Sequence, residues 1–219
     1  TIHSFPTRRS SDLKTFNHKH IGILAVLFFA FSAFTIAPAD DKLNATAWNI
    51  DQAHSNLNFE ITHFFTPVNG KFHDYTSEIY FSPDNLEESS INVEVMVNSI
   101  DTNNEKRDGH LQSDDFFNAA NYPKMTFTSN KLTSEGDNQY VAHGQLTIKD
   151  VTKDVKLPFT LLGVKDHPMK ENTKVAGIKG SLTIDRTTYD VGVGDWAATA
   201  VVGDEVNINF ALELNADAS

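Results

Sequence analysis

Histidine and serine side chains are the residues of this sequence whose types could support catalysis or metal binding. None of the histidines from residue 40 onward shows H-x-H or H-E-x-x-H spacing, so the sequence does not indicate a standard zinc site. These histidines are His54, His63, His73, His110, His143 and His167. Histidines from separate strands could still converge in space, which leaves a metal- or haem-dependent redox protein open as an alternative.

The neighbours His54 and Ser55 do not fit a nucleophile with its general base. Adjacent residues of a strand point to opposite faces, so these two side chains are expected to point apart. The sequence has no G-x-S-x-G motif, and no helix start follows Gly192-Val193-Gly194 to bind a phosphate. We therefore predict that the protein is not an enzyme and has no catalytic residue, no cofactor and no metal ligand.

The elements that position these residues are β-strands almost throughout. The clearest run has apolar or aromatic residues at every second position from Leu57 to His63, and similar runs cover residues 91–97, 124–132, 140–148, 155–162, 175–184 and 206–214. Each run has period two, which predicts a strand with one buried face. Short polar turns separate about eight or nine such strands without intervening helices, which favours an antiparallel meander.

Residues 104–121 interrupt the strand pattern. They are rich in Asp and Asn, yet Leu111, Phe116 and Phe117 recur at roughly helical spacing. We predict one or two short helices here, with Ser113 or Asp114 as an N-cap. A short helix beside a long meander fits a barrel whose open end needs a cover.

Closure into a barrel would remove the exposed edges of so many antiparallel strands. A barrel of about eight strands can also hold one small ligand in its interior. Many of the 16 Phe residues fall in or near the predicted strands. Phe rings fill a packed core as readily as they line a hollow barrel, so periodicity leaves open a packed β-sandwich that only binds other proteins.

Several short segments are specific as a set because of their order and spacing. They are Trp48-Asn49-Ile50-Asp51, His54-Ser55, Gly70-Lys71-Phe72, Ser99-Ile100-Asp101-Thr102, Ser113-Asp114-Asp115-Phe116-Phe117, Gly144-Gln145-Leu146-Thr147-Ile148 and Val202-Gly203-Asp204-Glu205-Val206. Together they resemble the YceI-like family over residues 47–214. The sequence departs from the family pattern at Tyr189-Asp190, where a Phe-Gly pair is frequent, and this places a phenol and a carboxylate near an expected pocket wall.

The resemblance implies an all-β fold, an antiparallel lipocalin-like β-barrel of about eight strands with one or two short helices. It also implies an apolar cavity for a long isoprenoid lipid, such as a polyprenyl pyrophosphate, a polyprenol or an isoprenoid quinone. A fatty-acid or fatty-amide carrier is the alternative, because an apolar tube discriminates poorly between linear tails. The side chains expected to contact the lipid are Phe59, Ile61, Phe72, Phe81, Val95, Phe127, Leu146, Phe159, Ile184 and Phe210.

Three cationic or titratable side chains are candidates for the polar head group of such a lipid. Arg107 and His110 lie in the predicted helical cover, and Arg186 follows a late strand. Arginine suits a diphosphate because its planar guanidinium can bond two oxygens at once. Arg186 could instead form an ion pair with the adjacent Asp185 at a strand end, and Arg107-Asp108 could be a solvated turn.

Residues 14–39 have the layout of a secretory signal peptide. Lys14 and Lys19 precede an apolar run from Ile21 to Phe34, and Ala37-Pro38-Ala39 follows as a cleavage site. The run is shorter than the roughly 20 residues that span a bilayer. We expect cleavage near Ala39 and a periplasmic protein, with residues 1–13 as a non-native leader and 40–219 as a single lipid-binding barrel domain.

Charge and cysteine content exclude several partners. Residues 1–39 hold four of the 18 basic and one of the 29 acidic residues, so residues 40–219 carry a net charge of −14. Such a surface repels nucleic acid and anionic membranes. We expect no nucleic-acid partner and no stable membrane insertion, and we leave a homodimer open. The chain has no cysteine, which excludes disulfides and thiolate metal sites.

Overall fold

The computed structural model describes residues 45–197 and 200–218, which belong to one unit of the chain, Asp41–Ser219. The predicted leader, signal peptide and cleavage position lie outside the described residues. The described strands are β1 (Ala47–His63), β2 (Thr66–Phe72), β3 (Tyr75–Tyr80), β4 (Ser90–Met96), β5 (Ile100–Asp101), β6 (Lys124–Gly136), β7 (Gln139–Ile148), β8 (Val151–Asp166), β9 (Thr173–Asp185) and β10 (Val202–Asp217).

The sheet closes on itself through the first and last of these strands. β1 pairs with β10 along its length, from Asn49 opposite Asn215 to His63 opposite Val202. The other edge of β1 pairs with β3 at its start and with β2 in its second half. All pairings are antiparallel, and the closed circuit has eight strands, which confirms the predicted barrel and overturns the packed β-sandwich.

Side chains alternate between the interior and the outside of this barrel as the period-two runs predict. The inward face of β1 carries Leu57, Phe59, Ile61 and His63, and the inward face of β10 runs from Val206 through Ile208, Phe210 and Leu212. All seven predicted runs form strands, except that Val97 at the end of one run belongs to a short 3₁₀ helix, Val97–Ser99. Most of the strands extend further than predicted. The interior is therefore lined almost entirely by apolar side chains.

One end of the barrel is filled by aromatic side chains. The rings of Phe81, Tyr140 and Phe159 pack with centroids 5.1 to 5.5 Å apart. Trp48 donates its indole N–H to the carbonyl of Phe81 at 3.0 Å. Leu214, which is 1% exposed, belongs to the same cluster. This end is a packed floor that closes the barrel.

The opposite end carries the one α-helix of the described residues, α1 (Glu105–Gln112). Asn104 caps it by accepting the backbone N–H of Arg107 at 3.0 Å, so the predicted N-cap at Ser113 or Asp114 is wrong. Ser113 instead ends the helix and donates its hydroxyl to the carbonyl of His110. The prediction placed the cap too late because Asn104 is as good a cap as Ser113. No helix in the described part of the chain is long and apolar enough to span a bilayer.

Candidate binding cavity

The interior of the barrel contains two adjoining cavities. The upper chamber, about 630 Å³, lies between the second half of β1, β2, α1 and the segment from Arg186 to Val206. The lower chamber, about 150 Å³, lies deeper, between the upper chamber and the packed floor. The side chains that line both are Phe59, Phe72, Met125, Ile148 and Ile208. A pocket of some hundreds of Å³ with mainly apolar walls is typical of sites for small apolar ligands.

Nine of the ten side chains predicted to contact a lipid line these chambers. Ile61 and Ile184 face the upper chamber, and Phe59 and Phe72 face both. Those that face the lower chamber alone are Val95, Phe127, Leu146, Phe159 and Phe210. Phe81 lines neither chamber: it is 4% exposed and packs into the floor, which corrects its prediction. Whether the other nine bind a lipid stays a prediction.

Two of the lining phenylalanines lie against glycines of the neighbouring strand. Phe59 is paired with Gly70 on β2, and Phe210 with Gly180 on β9. A Cβ atom on Gly70 would lie 2.3 Å from Cζ of Phe59, and one on Gly180 would lie 2.4 Å from Cζ of Phe210. These distances are far below van der Waals contact, so each ring occupies the space where a side chain would stand. Glycine thus lets the rings lie flat against the wall, which leaves the interior open.

Arg107 stands at the rim of the upper chamber. Its Nε and Nη2 donate to the hydroxyl and the carbonyl of the buried Thr102, both at 2.7 Å. Asp108 does not pair with Arg107, because its carboxylate accepts from the backbone and the hydroxyl of Thr102. The Nη1 group of Arg107 has no hydrogen-bond partner among the described residues. Arg107 is therefore held in place while keeping free donors for a ligand.

His110 links the helix to the loop before β10. Its Nε2 lies 2.8 Å from Oδ2 of Asp115, and its ring packs edge-on against Phe116 and Trp196, with centroids 5.1 and 4.8 Å away. Phe116 and Trp196 also contact each other, and all three side chains line the upper chamber. The cluster covers part of this chamber, and one ring nitrogen of His110 remains for a ligand.

Arg186 is buried, with 3% of its surface exposed, and this overturns its prediction as a head-group ligand. Its five N–H donors are directed at five backbone carbonyls, those of Val191, Gly192, Trp196, Val202 and Gly203. The alternative of an ion pair with Asp185 is also wrong, because that carboxylate caps Thr187. Burial lowers the pKa of Arg186, and the nearby Asp204 and Asp185 oppose this shift. Arg186 has no donor left for a ligand and acts as an internal clamp.

The charges that line the upper chamber are all positive. Lys106, Arg107 and Arg186 contribute to its wall, whereas no Asp or Glu is found among the described residues that line it. This contrasts with the net charge of −11 of the whole chain. The rim is therefore a local region suited to acceptor groups or to an anion. Lys106 was not among the predicted site residues, although its position next to Arg107 could have indicated that it lines the chamber.

The departure at Tyr189-Asp190 has no direct effect on the cavity. Tyr189 is 2% exposed and packs behind the wall with Phe116, Ile148 and Val191, so burial raises the pKa of its phenol. Asp190 is exposed and has a φ of 57°. Neither side chain lines a chamber, so the phenol of Tyr189 lies near the pocket wall, as expected, but does not face the cavity.

One group of potential metal ligands lies outside the cavity. Donor atoms of Asp51, His54 and Glu213 lie within 4.8 Å of one another, the only group of three found in the part of the chain that the structure describes. Nδ1 of His54 is 3.1 Å from Asp51 and 3.8 Å from Glu213. The hydrogen bond with Asp51 raises the pKa of His54 and lowers that of Asp51. When His54 is protonated, its single positive charge offsets one of the two carboxylate charges.

Known proteins resemble this chain in sequence and in fold. A family model described as YceI-like domain matches residues 48–214. Protein YceI of Escherichia coli is 37% identical over 139 residues, which make up 63% of this chain and 70% of that protein. The crystal structure of Burkholderia cenocepacia BcnA, at 29% identity, gives a TM-score of 0.68 over 75% of this chain and 99% of the other. A polyisoprenoid binding domain from Saccharophagus degradans, at 16% identity, shares the fold with a TM-score of 0.58 over 78% and 99%.

Proposed function

This chain belongs to the YceI-like family, and we propose that it is a periplasmic protein that binds and carries a long-chain isoprenoid lipid in its barrel. The observation that carries the proposal is the pair of apolar chambers, which end on a packed floor and reach the surface beside α1. The signal-peptide layout of residues 14–39 supports export. The protein performs no chemistry of its own in this proposal.

The affinity of the cavity would come from hydrophobic burial. Each methylene that leaves water for an apolar environment contributes about 0.8 kcal/mol, so a chain of several isoprene units is held without directional contacts. Specificity would then come from the length of the cavity and from the rim. The lower chamber ends at the rings of Phe127, Phe159 and Phe210, which would set the depth that the tail reaches.

The polar end of the lipid would lie at the rim. Lys106 and Arg107 offer positive charge and free donors there, which suits a pyrophosphate. A polyprenol or a quinone carries no charge, so its binding would depend little on these cationic groups. R107Q is expected to weaken binding of a polyprenyl pyrophosphate by about 1.5–3 kcal/mol and to leave binding of the polyprenol nearly unchanged. The matched control is K165Q, because Lys165 is an exposed cation on β8.

The primary test is the identification of the lipid that accompanies the protein. Native mass spectrometry of the purified protein, followed by organic extraction, should reveal an isoprenoid mass. A fatty acid or fatty amide would replace the isoprenoid proposal with its alternative. Absence of any lipid, together with no uptake of added polyprenol, would refute the carrier function.

Filling the cavity provides a test that needs no knowledge of the natural ligand. L146W places a bulky indole ring in the lower chamber. Polyprenol uptake should fall strongly, whereas the free energy of unfolding should fall only modestly. L162W is the matched control, because Leu162 is 59% exposed. Equal uptake by both variants would mean that the lower chamber holds no ligand.

The redox alternative has one surface group to rely on, Asp51, His54 and Glu213. Titration with Zn²⁺ or Cu²⁺, followed by calorimetry, tests whether this group binds metal. Binding that H54Q abolishes would support a metal function at this site. It would leave the lipid proposal intact, because the group lies outside the chambers.

A further inference from the structure

The hairpin between β1 and β2 presents two aromatic side chains to solvent. Phe64 and Phe65 form its two-residue turn, and they are 55% and 96% exposed. Large apolar side chains at a turn are unusual, because turns favour Gly, Asn and Asp. Phe64 also has a φ of 53°, a left-handed conformation that is unfavourable for a residue with a bulky side chain. The fold thus keeps exposed two rings that contribute little to its core.

The position of this turn relates it to the cavity. His63, the residue before the turn, lines the upper chamber, as does Val202 opposite it on β10. The backbone N–H of Phe64 donates to the carbonyl of Val201 at 2.8 Å, which anchors the turn to the segment that leads into β10. The rings of Phe64 and Phe65 therefore stand beside the open end of the chamber.

The chain segments next to the turn carry no formal charge. Residues 61–70 contain no Lys, Arg, Asp or Glu, although such residues make up 21% of the chain. Val201 and Val202, which lie opposite the turn, and the adjacent Ala200 and Gly203 are uncharged as well. An uncharged, apolar projection on an acidic protein does not fit a partner recognised by charge. It fits the interface of a bilayer, where aromatic side chains are buried among the acyl chains near the head groups.

We propose that Phe64 and Phe65 insert into the surface of a zwitterionic bilayer and bring the mouth of the upper chamber against it. This inference rests on the proposed lipid-binding function, and it gives the route by which the lipid moves. A long isoprenoid that crossed open water would lose its hydrophobic burial on the way. A rim pressed against the membrane lets the chain pass from one apolar environment to another.

The absence of cysteine in the sequence allows a site-specific test. T66C and K170C each place a single label, the fluorophore NBD, at an exposed position, one at the start of β2 next to the two Phe residues and one in the β8–β9 turn. With phosphatidylcholine vesicles, the label in T66C should shift to the blue and brighten, and the label in K170C should not change. The N-terminal residues are the same in both variants, so membrane binding by that segment cannot produce the difference.

Removal of the two rings tests their contribution. F64G/F65S in the T66C background should reduce vesicle affinity about tenfold, which corresponds to about 1.4 kcal/mol. Glycine accepts the φ of residue 64, so this variant is expected to fold, and circular dichroism checks this. The matched control is M169S in the same T66C background, because Met169 is 87% exposed but lies in the opposite turn. Its affinity should equal that of T66C.

Each other outcome has a definite meaning. An unchanged T66C signal, or equal signals from T66C and K170C, would overturn the proposal. A T66C signal that rises with protein concentration in the absence of vesicles would assign the surface to a second copy of the chain and would also overturn it. Insertion by a protein that takes up no lipid would refute the carrier function while leaving bilayer docking established. If F64G/F65S still takes up lipid from organic solution but takes it up more slowly from vesicles, both the carrier function and bilayer docking are supported.

Discussion

Replacement of Arg186 should destabilise the fold without any selective effect on a head group. The guanidinium donates to five carbonyls that belong to the segment from Val191 to Gly203. Met has a similar length and fills much of the same space, but it has no donor. R186M would therefore leave these carbonyls without their partner while the apolar packing largely persists.

The magnitude follows from the number and burial of these bonds. A hydrogen bond from a charged donor contributes about 1.5–3 kcal/mol, and removal of one partner of a buried charged interaction typically costs about 3–5 kcal/mol. Not all five carbonyls stay unsatisfied, because water can reach those near the rim. We expect R186M to lower the free energy of unfolding by about 3–5 kcal/mol. At about 2–4 °C per kcal/mol for a domain of this size, Tm falls by about 6–20 °C.

Urea denaturation followed by circular dichroism measures this loss, and R107M is the matched control. Arg107 is half-buried and donates two hydrogen bonds rather than five, both to Thr102, so R107M should lower the free energy of unfolding by less than R186M does. R186K should fall between wild type and R186M, because an ammonium has three donors rather than five. The structural role of Arg186 would be refuted if the free energy of unfolding of R186M were within about 1 kcal/mol of wild type and the variant had lost affinity for a polyprenyl pyrophosphate but not for a polyprenol.

Three further changes test other parts of the structure. G70A should force the ring of Phe59 off the wall and into the chambers. Native mass spectrometry should then show less bound lipid, and the free energy of unfolding should fall by about 1–3 kcal/mol, the usual cost of overpacking. Unchanged lipid content would contradict the displacement of the ring into the chambers. The pKa of His54 is raised by Asp51 in the folded protein, so its stabilisation is complete below pH about 6.5 and is lost as the pH rises through the folded-state pKa. The stability difference between wild type and H54Q in urea should accordingly be larger at pH about 6 than at pH about 8.5, and a difference that grows with pH would contradict the assignment. F64G should raise the free energy of unfolding by about 1 kcal/mol because it relieves the left-handed φ, and a loss of stability in thermal denaturation would show that the ring supports the turn.

The strands were predictable because their packing repeats along the chain. The run from Leu57 to His63 places every second side chain on the interior, and the alternation alone reveals which face is buried. The resemblance to the YceI-like family then predicted that the sheet closes into a barrel, since no local pattern can reveal that β1 pairs with β10. The N-cap of α1 was missed for a local reason, because Asn104 and Ser113 are equally good caps.

The role of Arg186 could not be predicted from the sequence. Its partners are backbone carbonyls, which every residue has. The five hydrogen bonds therefore require no particular amino acids at the partner positions and cannot be recognised in the sequence. Phe81 was misplaced for a related reason: alternation identifies an inward side chain but not its depth, and the packed floor and the open chamber look alike in a period-two pattern. The hollow interior depends on Gly70 and Gly180, whose importance appears only once the opposing rings are known.

Pairing of β1 with β10 also determines the order in which the fold can be completed. Asn49 lies opposite Asn215, so this pairing joins residues that are much further apart in sequence than those of any other strand pair described. Contacts of such separation form late, because the chain loses loop entropy before it gains them. Synthesis proceeds from the N-terminus, so one edge of β1 stays unpaired and its apolar face stays uncovered until β10 has been synthesised. Closure of the sheet is therefore a moment at which an apolar chain can be enclosed from the side, without passing the rim, and can stabilise the final pairing by binding the closed form.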